Sequence, residues 1–201
     1  MKKLFIFITF ITLAIPSFAE RLMPIEFVGQ PVLHLTDGRP SACGIRFLGV
    51  QSPADENNPN ETIWVPDGSF MIYRKGYGLV KAVAIQSDVK SLLEHKVPVG
   101  QSFKSFWFKV EGQKATVPLT PITKGDNENS KLYVTDLTSV VEIYSSIIEG
   151  KILQFALKFD NGNDIAFYGK VRLKPDEKQQ ILSCMNELSN LIQEDVKVES
   201  K

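Results

Sequence analysis

Residues 151–193 read KILQFALKFDNGNDIAFYGKVRLKPDEKQQILSCMNELSNLIQ, and this stretch decides the class of the fold. Leu153, Phe155, Leu157 and Phe159 alternate with Gln154, Ala156 and Lys158, the period of a strand with one buried face. Asn161-Gly162 is a two-residue hairpin signal, because both residues tolerate positive φ. Ile165, Phe167 and Val171 continue the partner strand. Pro175 then suits a first helical turn, where its missing N–H is not needed, and Asp176 and Glu177 complement the positive end of the helix dipole. Ile181, Cys184, Met185, Leu188 and Ile192 share one stripe of that helix. A hairpin with one apolar face, followed by a helix with one apolar stripe, buries both only when the helix lies on the sheet.

The same pattern extends upstream. Strand-like runs occur at 24–35, 43–47, 62–65, 70–74, 79–86 and 103–110, separated by turn formers at Asp37-Gly38, 51–60, Pro66-Asp67-Gly68 and Gly76-Tyr77-Gly78. Pro31 lacks an amide donor, so the first run suits an edge or a bulge. Ser87 to Lys96 reads as a short helix. Residues 103–110 and 116–119 read as a hairpin around Glu111-Gly112-Gln113-Lys114, and 121–131 as a loop. Thr135 or Asp136 caps a helix carrying Leu137, Val140, Val141, Tyr144, Ile147 and Ile148, which Gly150 terminates. The expectation is an α+β fold: a mostly antiparallel β-sheet with two principal helices, the last one C-terminal and packed on the sheet.

The first residues specify a destination. Lys2 and Lys3 precede an apolar run from Leu4 to Ile15; Pro16 breaks it, and Ser17-Phe18-Ala19 offers small residues for cleavage before Glu20. This is the plan of a secretory signal peptide, and the run is too short to span a bilayer. Residues 1–19 are therefore expected to be a cleaved signal peptide and 20–201 a single α+β domain, periplasmic or secreted. No cysteine follows the apolar run to accept a lipid. The two cysteines, Cys43 and Cys184, both fall on apolar faces and are expected to form a disulfide in an oxidising compartment.

Charge and chemistry narrow the function. The mature chain carries 21 basic and 23 acidic side chains, with no basic footprint for nucleic acid, and no second apolar run approaches membrane length. His34 and His95 are the only histidines; the first lies near a turn and the second beside Glu94 at a helix end, and neither adjoins a nucleophile motif. Asp126 to Ser130 and Asp160 to Asp164 gather oxygen ligands but depart from the calcium-loop pattern, and turn chemistry accounts for them. No metal and no cofactor is expected.

The most suggestive local feature is aromatic. Phe103, Phe106, Trp107 and Phe108 crowd one strand, with Phe106, Phe108 and Val110 on one face and Phe103, Ser105 and Trp107 on the other. Either a helix covers the second face, or it is an aromatic groove for a peptide, glycan or protein partner. Phe103 and Trp107, with Trp64 and Tyr77 as outlying aromatics, are the candidate binding residues. The expected function is an exported binding or protein-interaction module, an accessory to envelope assembly or secretion. The alternative is a small exported hydrolase acting on glycan or peptide.

Overall fold

The computed structural model describes residues 21–55 and 57–199. The leader expected over 1–19 lies outside the described residues.

Thirteen strands and three helices follow one another among the described residues. They are β1 (Arg21–Pro24), β2 (Glu26–Thr36), β3 (Arg39–Val50), β4 (Thr62–Trp64), β5 (Asp67–Tyr73), β6 (Tyr77–Val83), β7 (Ile85–Asp88), α1 (Val89–Leu93), β8 (Val99–Gly100), β9 (Ser105–Val110), β10 (Thr123–Lys124), β11 (Ser130–Thr135), α2 (Leu137–Ile148), β12 (Ile152–Lys158), β13 (Ile165–Arg172) and α3 (Pro175–Glu199). The main sheet runs in the order β10-β11-β6-β5-β3-β2-β13-β12-β9, with β1 also paired to β13. A small second sheet holds β4, β7 and β8.

The sheet is mostly antiparallel, as the sequence led one to expect, but it is mixed rather than purely so. β13 runs parallel to β1 and β2 in a single register, from Arg21 opposite Ile165 to Val28 opposite Arg172. At the junction Ile25 donates its N–H to the Tyr168 carbonyl at 3.0 Å. Position 169 must be glycine there, because a Cβ would collide with the Ile25 carbonyl. Past Val28, β2 loses β13 and keeps β3, so Pro31 sits where one side of the strand is unpaired and its missing N–H is harmless.

The sheet curls until its two ends meet. Phe106 on β9 packs 4.8 Å from Tyr133 on β11, and Phe108 on β9 lies 4.7 Å from Phe70 on β5. The segment expected as a second hairpin strand bridges this seam instead. Thr116 donates its N–H to the Phe108 carbonyl at 2.8 Å, and Leu119 donates to the Val134 carbonyl at 2.8 Å. Phe27, Phe47, Phe70, Phe108, Phe155 and Phe167 fill the enclosed space with mainly edge-to-face contacts. One continuous core joins them to both long helices.

Each helix is held by its local chemistry. Asp136 caps α2 by accepting from the Ser139 N–H at 2.7 Å, and Gly150 adopts φ 77° just past its end. α2 buries Val140, Ile143, Tyr144 and Ile147 and contacts β5 and β6 as well as β9 and β12, so it spans the curl. α3 lies mainly on β3 and β2 and buries Ile181, Cys184, Leu188 and Leu191. Cys43 and Cys184 form a disulfide with Cα atoms 5.9 Å apart, fastening the C-terminal helix to the sheet. α1 is only five residues long and buries nothing.

Candidate functional site

In a strand, successive side chains alternate between faces, and residues directly opposite on paired strands share a face. Phe106, Phe108 and Val110 of β9 point into the core, so Trp107 points outward. Trp107 stands opposite Ala156, Ala156 opposite Ala166, and Ala166 opposite Leu22. Both alanines are fully buried, which means the larger side chains beside them close over this row. The next row runs Lys109, Gln154, Tyr168, Pro24. Farther along the same edge of the row, Val28 on β2 faces Leu48 on β3 and Glu26 faces Val50.

These outward residues form an apolar strip. Leu22 is 58% exposed and Val28 55%, with Leu48, Val50 and Tyr168 each more than a third exposed. Ion pairs lie within and beside it: Arg172 to Glu26 at 3.0 Å, between Pro24 and Val28 on the same face, and Arg46 to Asp67 through a two-pronged contact with its shortest distance 2.5 Å. The strip was missed in the sequence because each of its residues is an ordinary strand residue. Only the alternation of Leu22 and Pro24 on β1, continued by Val28 on β2, carried any signal.

The four aromatic candidates do not form one groove. Phe103 is buried in the core, 6.0 Å from Phe106, although the alternation placed it on the face of Trp107. The regular strand begins only at Ser105 and the backbone bends at Lys104, so the alternation does not extend back to Phe103. Trp64 on β4 is 9% exposed and packs into the core, 5.6 Å from Phe159 and 6.0 Å from Phe167. Tyr77 stacks on Tyr73 at 4.9 Å, in a separate groove between the β2–β3 and β5–β6 turns and the end of α3.

That second groove encloses about 1280 Å³ and is lined by Arg39, Arg74, Lys75, Tyr73, Tyr77 and Asp195 among others. Arg74 donates to both Asp195 oxygens at 2.6 and 2.7 Å, tying α3 to the β5–β6 turn. This hydrogen bonding holds the Asp195 carboxyl below the usual carboxylate range. His34 sits beside Tyr73, ring centroids 6.5 Å apart, and His95 ends the α1 turn at φ 55°. The Trp64 groove is smaller, about 610 Å³, and its wall is the turn from Asn161 to Asp164. That turn is wider than the two-residue hairpin expected: β12 ends at Lys158 and β13 starts at Ile165, with Asp164 accepting from the Phe159 N–H at 3.2 Å.

Among the described residues, the carboxylates whose titration is displaced all move downward. The Ser91 and Ser139 hydroxyls lower Asp88 and Asp136, Lys81 lowers Asp126, and the Ala54 and Asp55 amides lower Glu61. Each has a structural partner. Among the described residues, no three or more His, Cys, Asp or Glu gather as a metal site. Comparison of the chain with protein families, with curated proteins and with solved structures finds no match.

Proposed function

We propose that this protein is an exported binding module that docks a partner protein against the outer face of its sheet. The observation that carries this reading is the set of exposed apolar residues Leu22, Pro24, Val28, Leu48, Val50 and Tyr168 on the face opposite the core, with the Arg172–Glu26 and Arg46–Asp67 ion pairs set among and beside them. Exposed apolar residues interspersed with ion pairs suit a protein interface, since burying the apolar groups supplies the drive and the charges supply register. Work outside the cytoplasm is supported by the leader-like sequence at 1–19 and by the Cys43–Cys184 bond, which persists where thiols are oxidised. Among the described residues no helix is long and apolar enough to cross a membrane.

The test is a paired substitution, Val28→Glu with Leu48→Lys. The two positions face each other, Asp67 stands opposite 48, and Arg172 stands opposite 28, so the new charges meet partners of opposite sign. The melting temperature should stay within a few degrees. Partners captured by the wild-type mature protein from an envelope extract, identified by crosslinking and mass spectrometry, should be lost. Recovery of the same partners by the folded variant refutes the docking face.

A further inference from the structure

We infer that the groove beside Trp64 is a binding site for a short neutral oligosaccharide. Hydroxyl groups both donate and accept hydrogen bonds, so they are matched by side-chain amides, which do the same. The C–H faces of a sugar ring need an apolar wall. The groove brings these together in one place. Gln86 stands directly opposite Trp64 across the β4–β7 pairing, and Gln101 follows β8, held by its N–H to the Ala84 carbonyl at 2.9 Å. Asn163 and Asp164 approach from the β12–β13 turn, while the half-buried Phe159 and the exposed edge of the core residue Trp64 supply the apolar side.

Three observations favour a sugar. The side-chain amides of Gln86, Gln101 and Asn163 are partly or fully exposed and are not engaged by another described side chain, so they can donate to and accept from a ligand. The indole N–H of Trp64 likewise has no acceptor among the described residues. No lysine or arginine lines the groove and Asp164 is its one carboxylate, so an anionic ligand is disfavoured and a strongly cationic one has a single partner. The volume of about 610 Å³ lies inside the roughly 300–1,000 Å³ range of small-ligand sites. The groove around Tyr77 differs on each count, being cationic and tied across by the Arg74–Asp195 pair.

The site is independent of the docking face, and its test keeps the two apart. The chain has two tryptophans, so Trp107→Phe leaves Trp64 as the sole indole reporter. Cellotriose, maltotriose and tri-N-acetylchitotriose are titrated against this variant, with a triglutamate peptide as the anionic control. At least one trisaccharide should give a saturable change in Trp64 emission and shift backbone amide resonances of 161–165. Gln101→Ala and Asn163→Ala, both at partly or fully exposed positions, should each weaken that affinity roughly tenfold, the effect of losing one hydrogen bond. The Val28→Glu/Leu48→Lys protein should bind sugar unchanged. Absence of binding by all three sugars overturns the inference. So does affinity that survives both amide substitutions, or preferential binding of triglutamate.

Discussion

Replacing both Cys43 and Cys184 with alanine should remove a large share of the stability of this protein. The bond closes a loop spanning a sequence separation of 141 residues. The chain-entropy expression for a loop of that length gives about 5 kcal/mol at 25 °C, and measured disulfides more often deliver ~2–4 kcal/mol. A loss of roughly 3–5 kcal/mol is therefore expected, against a total of about 5–15 kcal/mol for a typical domain. Both sulfurs are buried, so the exchange to alanine also removes packing contacts and adds to the loss rather than offsetting it. With a urea dependence of about 2 kcal/mol per M, the unfolding midpoint should fall by roughly 1.5–2.5 M.

The location of the bond shapes how the variant fails. Without it, α3 is held by Ile181, Leu188 and Leu191 on the sheet and by the Arg74–Asp195 pair, so the helix becomes the first element able to leave. Limited thermolysin digestion should cut the variant within 175–199 before cutting elsewhere, while the wild type resists. Urea curves followed by circular dichroism and by tryptophan fluorescence measure the midpoint. A change below about 1 kcal/mol would show that the unfolded chain is not restrained as the loop argument requires. Two reactive thiols in unfolded, unreduced wild-type protein would refute the bond itself.

Two further outcomes concern buried phenols. The Tyr144 hydroxyl is buried and has no hydrogen-bond partner among the described residues, so Tyr144→Phe should hold or raise stability by about 1 kcal/mol in denaturant unfolding; a loss larger than that would reveal a partner for the hydroxyl. Burial raises the Tyr133 phenol to about 12, partly opposed by the Thr116 hydroxyl at 2.6 Å, and pushes Tyr144 well above its ordinary value. Both folded values exceed the unfolded ones, so their contribution is whole below about pH 10 and is lost as pH rises toward 12. Phenolate absorbance from these two should appear only together with loss of circular dichroism, and its appearance in fully folded protein would contradict their burial.

The sequence on its own was enough to mark the elements whose evidence is local. Alternation at 153–159 and 165–171, the apolar stripe of 181–192, the Asp136 cap and the Gly150 stop each depend on residues within one or two turns, and each stands where the pattern put it. The cysteine pairing was legible for a related reason: only two cysteines exist, and both fell on apolar faces. Tertiary structure alone decided the rest. Hairpin signals speak only of neighbours in sequence, so the parallel alignment of β1 and β2 with β13, across some 144 residues, left no local trace. The curl that joins β9 to β11 through 116–120 is set by how the phenylalanines pack, a property of the whole core. For the same reason the aromatic candidates dispersed, Phe103 inward, Trp107 outward, Trp64 and Tyr77 into separate grooves, because a side chain's face follows its strand but its neighbours follow the order of strands.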